Sequence, residues 1–294
     1  MTIVSIGEIL WDVIDAEEHL GGAPFNLAAH AARLGHRSIF ISAVGADRRG
    51  RLALERAEAL GVDRRPIRVV EGKPTGTVSV RLVDGQPDYV IHRPAAYDEP
   101  ALDEADWRYL RAAAPDWIAH GTLAQQSSRV LELTRRVIAE FPAAKRFYDV
   151  NLRKDSYSRD LLAALLPEAT VLKINEHEAA ALGEMFGDPP ESLEEFCRRW
   201  SRRHSIEIVC VTRGAAGSGV FRGGEYFEVP APRVEVRDAV GAGDAFSAAF
   251  LHGLNAGRPI REVAEFANRV GALVASRSGA VPEWSEPEAW APVR

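Results

Sequence analysis

Three small residues and an acid, Gly241-Ala242-Gly243-Asp244, close the heptapeptide DAVGAGD at residues 238–244. Apolar residues then recur at three- and four-residue spacing (Ala245, Phe246, Ala249, Phe250 and Leu254), so a helix starts here. Glycines let successive backbone N–H groups turn toward one point, and a helix start adds the positive end of its dipole. Such a place holds an anion. A carboxylate fixed beside it can take the proton of a hydroxyl attacking that anion, the minimal equipment for phosphoryl transfer to an alcohol. Asp244 is the candidate base, kept ionised by the dipole, and the backbone of Gly241, Ala242 and Gly243 is the candidate anion cradle. The dipole alone favours an acid in a first helical turn, but it does not explain the Gly-Ala-Gly that precedes it.

Other polar residues stand where elements begin or end. In Leu20-Gly21-Gly22-Ala23-Pro24-Phe25-Asn26, Pro24 suits a first helical turn and the paired glycines Gly21 and Gly22 permit close backbone approach. Asn26 then offers a donor and an acceptor to a polyol, unless the glycines serve only the turn. Asp12 follows the first strand, where open α/β sheets place their ligands; it is either a sugar-hydroxyl acceptor or a solvated loop acid. Asn151 and Arg153, in DVNLR, leave another strand end, with Arg153 suited to phosphate or substrate. Asn175 and Glu178 share a helix face. A carboxylate near a nucleotide can hold Mg²⁺ through water, and the same pair reads as an N-cap answered from the third position. Thr212, Gly214 and Gly217 form a glycine turn or a wall of a nucleotide pocket; the residues alone leave both open. A dinucleotide GxGxxG fingerprint and a Walker A loop are both absent from the sequence.

Short apolar runs alternate with amphipathic helices and carry these residues. Ile3–Ile6, Ile39–Val44, Trp117–Ala119, Phe147–Val150, Val171–Ile174 and Ile208–Thr212 read as buried strands. Helical patterns such as Pro24–Leu34 and Leu52–Leu60 lie between them and close on Gly35 and Gly61. The alternation predicts a mostly parallel sheet covered by helices. Arg68–Arg93 breaks the pattern, alternating without a helix around Asp84-Gly85, a hairpin signal. The expectation is one domain over 1–294 with a small β lid of about 11–20 and 66–97; an ordinary edge hairpin is the plainer alternative. A phosphoryl-transfer site must exclude water, which a lid does.

Of the 294 residues, 46% are apolar and 27% charged, enough for a large core. The net charge of −6 argues against nucleic-acid and membrane-surface partners. Cys197 and Cys210 fit no metal or redox motif and read as buried thiols of a reducing cytoplasm. MTIVSIGEIL reads as a strand rather than a signal peptide, and no apolar run is long enough to span a bilayer.

The set of motifs, in this order, resembles the ribokinase-like (PfkB) carbohydrate kinases over essentially the whole chain. GGAPFN with Gly35, Gly45, Asp47 and Gly50 is similar to the family's N-terminal signature, and DAVGAGD to its C-terminal one. GEILWD, DVNLR and NEHE resemble the branch that includes fructokinases. The resemblance implies a three-layer α/β/α sandwich with a β lid that pairs two subunits into a homodimer. It implies Asp244 as base, the Gly241–Gly243 amides as anion hole, and Asp12, Gly21, Gly22, Asn26 and Arg93 around the sugar, with Arg93 closing from the lid hairpin. It also implies ATP held near Asn175, Thr212, Gly214, Gly217, Asn268 and Gly271, with Mg²⁺ organised through water by Asn175 and Glu178. Asn268 otherwise reads as a polar face of the last helix. Ala239 stands where the family usually has Thr, which removes a hydroxyl but leaves the backbone donors. With Ala239 and Val240 in place, a monovalent-cation site is not predicted. DVNLR replaces the commoner DPNLR, a minor change. Fructose is the leading substrate, with 2-keto-3-deoxygluconate, ribose or another pentose or ketose as alternatives, and a non-catalytic sugar-binding relative as the rival class.

Overall fold

The computed structural model describes residues 1–14, 17–83, 86–189 and 191–291. β-Branched and aromatic runs supply the strands β1 (Thr2–Ile6), β2 (Leu10–Ile14), β3 (Glu17–Gly21), β4 (Arg37–Gly45), β5 (Ile67–Val70), β6 (Gly76–Val83), β7 (Gln86–His92), β8 (Trp117–His120), β9 (Lys145–Asp149), β10 (Val171–Asn175), β11 (Ile208–Thr212), β12 (Ser218–Arg222) and β13 (Glu225–Val229). The helices are α1 (Ala23–Arg33), α2 (Arg48–Ala59), α3 (Glu104–Ala113), α4 (Ser128–Glu140), α5 (Arg159–Leu165), α6 (Glu176–Met185), α7 (Leu193–His204), α8 (Ala242–Asn255), α9 (Ile260–Ala275) and α10 (Glu286–Trp290).

A nine-stranded sheet runs β13-β12-β11-β10-β9-β8-β1-β4-β5. Its strands are parallel from β5 to β11, and β12 and β13 return antiparallel. Successive side chains of a strand face opposite sides. Ile3, Trp117, Ala119, Phe147, Val171 and Cys210 pack with α1, α8 and α9. Val4, Ile6 and Ile118 meet α3 and α4 on the other side, and Leu172, Ile174, Val209 and Val211 meet α5, α6 and α7. Both faces are covered, which is why these strands read as continuous apolar runs. Cys197 and Cys210 are free and buried. Among the described residues no helix is long and apolar enough to cross a membrane.

A second, four-stranded sheet has the order β3-β2-β6-β7. The strand expected just after β1 is β2, which pairs parallel with β6 and antiparallel with β3. The hairpin expected in Arg68–Arg93 is β6 with β7, antiparallel; its Asp84-Gly85 turn lies outside the described residues. One boundary is corrected. The segment expected to open the lid at residue 66 instead gives β5 to the edge of the large sheet, parallel to β4. Ile67 is buried there among Phe40, Val44 and Ala53. Alternation continues through β5 and β6 without a helix, so the sequence pattern does not mark where one sheet ends. Asp47 fixes the crossing: its carboxylate accepts from Gly50 N, Thr75 N and Thr75 Oγ1 at 2.7–2.8 Å.

Candidate active site

Gly241 caps the N-terminus of α8 at φ 77°. An L side chain is strained at that angle, and a Cβ there would sit 2.2 Å from the carbonyl oxygen of Ala280, so only glycine fits. Ala242 N donates to Ala239 O at 3.3 Å, a long turn bond, so this amide of the expected cradle is partly spent inside the protein. Among the described residues nothing accepts from the amides of Gly241, Gly243 and Asp244. Three orphan donors thus remain at the positive end of α8.

Asp244 stands in this first turn. Its Oδ2 accepts from Asn26 Nδ2 at 2.8 Å, and its Oδ1 has no partner among the described residues. Burial, and next the charge of Asp149, push its carboxyl up to about 6 against the pull of Asn26, Lys173 and Arg153. The carboxyl expected to be a weak base kept ionised by the dipole is thus raised by desolvation into a stronger one. Asn26 is buried in α1 with its own Oδ1 unpartnered.

A buried cation sits under the loop. Lys173 Nζ lies 3.0 Å from both oxygens of Asp149, and a Cβ on Gly243 would come within 3.3 Å of that ammonium. Ser247 Oγ stands 3.1 Å from Asp149 Oδ2 and 2.9 Å from Gly243 O. Burial opposes the charge on Lys173, but Asp149, Glu178 and Asp244 together raise its pKa. Lys173, Asp149 and Ser247 escaped the sequence reading. The available signal was a lysine inside the apolar strand VLKIN, since a buried lysine needs a partner.

The residues expected on the sugar side lie on β2, at the start of α1 and in the turn after β9. Asp12 is half-buried on β2, and its Oδ2 would lie 2.9 Å from a Cβ on Gly21, which explains that glycine. Burial raises its pKa, against the charges of Arg153 and His19. Gly22, at φ 114°, lets α1 start against the Glu8 carbonyl, 2.4 Å from where a Cβ would stand. Glu8 is a further residue that the sequence reading missed. It is 3% exposed with Oε2 unpartnered, and burial pushes it up to about 7. The charge of exposed Arg153 reaches Glu8, Asp12 and Asp244 alike. Asn151 holds a left-handed backbone at φ 42° in the same turn.

Arg93 differs from expectation. It ion-pairs with Asp98 and donates to Gln126 and to Leu123 O, so its guanidinium anchors the chain leaving β7 instead of reaching over the cleft.

On the far side, Asn175 and Glu178 form a capping box at the start of α6: Glu178 Oε2 accepts from Asn175 N at 2.9 Å, and Asn175 Oδ1 from Glu178 N at 2.9 Å. Glu178 Oε1 takes Leu152 N at 2.7 Å, and burial raises this acid's pKa. Thr212 ends β11, and Gly214–Ala216 make an exposed turn into β12, closed by Gly217 at φ 96°. Asn268 is buried and donates to Val229 O at 2.9 Å, fastening α9 to the end of β13. Gly271 lets α9 approach Ala242 O. Both pack α9 beside the loop. Among the described residues no group of three or more His, Cys, Asp or Glu side chains is placed to cage a metal.

Residues 3–287 match the profile of the pfkB family carbohydrate kinases. The chain belongs to this family of carbohydrate kinases. It is 31% identical over 299 residues to the uncharacterized sugar kinase PH1459 of Pyrococcus horikoshii, covering 97% of this chain and 92% of that one. It is 30% identical over 280 residues to the fructokinase of Escherichia coli, covering 89% and 87%. The crystal structure of fructokinase with bound ATP from Xylella fastidiosa superposes with a TM-score of 0.87 at 24% identity, over 98% of this chain and 96% of that one. The two sheets and their order are thus those of the ribokinase-like fold, and the chain is a phosphotransferase of the fructokinase-like branch.

Proposed function

We propose that this kinase transfers the γ-phosphoryl group of ATP to a primary hydroxyl of a neutral sugar, with fructose the best single candidate and fructose 6-phosphate its product. The observation that carries the reading is the Asn26–Asp244 contact beside three orphan amides. Asn26 holds Oδ2 and leaves Oδ1 to take the hydroxyl proton. The sugar oxygen then bonds to the γ-phosphorus as the bond to the bridging oxygen breaks, and ADP leaves. The amides of Gly241, Gly243 and Asp244 receive the migrating charge, with the Lys173 ammonium beneath them.

Asp12, Gly21, Gly22, Asn26, Asn151 and Arg153 form the proposed sugar side. Asn175, Thr212, Gly214 and Gly217 line the proposed nucleotide side, which Asn268 and Gly271 back from α9. Mg²⁺ keeps most of its waters and binds through one or two carboxylates plus phosphate. The residues fit such a hydrated ion, because each oxygen of Glu178 takes one backbone N–H and keeps a further lone pair for a water of the ion. When bound, the ion neutralises phosphate charge. The smaller sheet, carrying Asp12, is read as the lid and as the homodimer contact; two free thiols suit a reducing cytoplasm.

The charge around the sugar side favours a neutral ketose over a sugar acid. Glu8, Asp12 and Asp244 all feel the charge of Arg153, Lys173 is already paired with Asp149, and Arg93 is paired with Asp98. A coupled ADP-release assay with fructose, ribose and 2-keto-3-deoxygluconate tests this. Preferred turnover of the acid would overturn the neutral-sugar reading, and no turnover of any sugar would favour a binding-only relative.

A further inference from the structure

His30 lies one turn beyond Asn26 on α1 and is fully buried. Its two ring nitrogens are both engaged. Trp284 Nε1 donates to His30 Nδ1 at 3.1 Å, and His30 Nε2 stands 3.0 Å from Ala280 O. An indole N–H only donates, so Nδ1 carries no proton. The ring is therefore the Nε2–H tautomer and donates to the Ala280 carbonyl. Burial pushes the imidazole down to about 4, which keeps it in this neutral form.

The Ala280 carbonyl is the same group that backs Gly241, 2.2 Å from where a Cβ on that glycine would stand. Asp238, the first residue of DAVGAGD, grips the adjoining Gly279 N at 2.9 Å and Val240 N at 3.0 Å. The turn at 279–280 is thus clamped between α1 and the loop that starts α8. One face of α1 then touches both halves of the catalytic apparatus: Asn26 holds the Asp244 carboxylate, and His30 holds the strut behind the Gly241 amide.

We propose that His30, oriented by Trp284, is a positioning residue that fixes the orphan amides of the Gly241–Asp244 turn through the Ala280 carbonyl. The proposal rests on the reading of those amides as the anion hole. Proximity effects are steep: misplacement by about 1 Å costs on the order of 10²-fold in rate. Loosening the strut therefore lowers kcat while leaving ground-state affinity for sugar and ATP in place, because their other contacts are untouched.

The test is steady-state kinetics on the full chain. His30→Ala is expected to lower kcat about ten-fold or more with both KM values within about three-fold. Added imidazole restores part of the rate, and His30→Gln, which keeps an N–H donor at that reach, retains more activity than His30→Ala. A His30→Ala kcat within about two-fold of the parent overturns the proposal, as does a loss that neither imidazole nor Gln relieves. If His30→Ala does not fold, Trp284→Phe decides, since it removes the orienting N–H without emptying the core. A fall in kcat of about three-fold or more at unchanged KM supports the proposal, and parental kcat overturns it. Asp244→Asn run alongside separates the two levels. If it turns over like the parent, the reading of the site fails; if it is dead and the His30 and Trp284 variants are unaffected, only the His30 inference fails.

Discussion

Asn26 Nδ2 holds Asp244 Oδ2 at 2.8 Å across 218 residues of sequence. This contact aims a desolvated carboxylate while leaving its other oxygen open. The same desolvation raises the acid to about 6 and makes it a stronger base than an exposed aspartate.

The acid limb of kcat should follow that value. The proposed base works only when ionised, so kcat should fall as pH drops through about 6 and level off above about 7. Asp244→Ala should reduce kcat on the order of 10²–10⁴-fold and leave sugar and ATP binding largely intact. A pH–rate series on the parent and calorimetric binding to the variant check both.

Asp244 should also cost stability. Its folded-state pKa is raised from 3.8 to about 6, so the stability it permits is complete below 3.8 and is lost as pH rises through 6. At pH 8 the unliganded protein then carries a burden on the order of 3 kcal/mol, which Asp244→Asn removes. Thermal melts should show the variant stabilised at pH 8 and much less so at pH 4.

Lys173→Met should be severely destabilising, by roughly 3–5 kcal/mol, because it strands the buried Asp149 charge. The double variant Lys173→Met with Asp149→Asn should recover part of the loss. Urea titrations of the four proteins give the coupling energy directly.

Asp12→Ala should raise the sugar KM by the equivalent of roughly 1–3 kcal/mol, with kcat changed less. An unchanged sugar KM in initial-rate assays would remove Asp12 from the binding set.

Gly241→Ala should fail on two counts. It places a side chain at φ 77° and within 2.2 Å of Ala280 O. The left-handed backbone alone costs about 1–2 kcal/mol, and relieving the clash displaces the amides. Activity should fall more than the melting temperature indicates, read by kcat measured well below the melt.

Much of this was legible in the sequence because chemistry and backbone need coincide. Gly241 and Gly22 are glycines because a side chain there would strike the Ala280 and Glu8 carbonyls, and Asp244 follows its loop directly. Parallel strands buried on both faces announced themselves as apolar runs. What stayed hidden depends on partners distant in sequence. Asn268 donates to Val229 O, 39 residues away, and Arg93 to Leu123 O, 30 residues away. Lys173 and Glu8 each carry charge inside apolar stretches, and their meaning appears only when Asp149, Asp244 and Arg153 arrive beside them. The corrected start of the smaller sheet belongs to the same class, since β5 and β6 share one alternating pattern.

The two hydrogen bonds that frame the site join partners 218 and 250 residues apart. Assembly of the site therefore waits on α8 and on the turn at 279–280, long after α1 has been made. The same late helix, α8, covers one face of the large sheet and carries the proposed base, so burial of the sheet and completion of the site are coupled. A chain cut just before Trp284 would keep every strand of both sheets and lack the indole that orients His30.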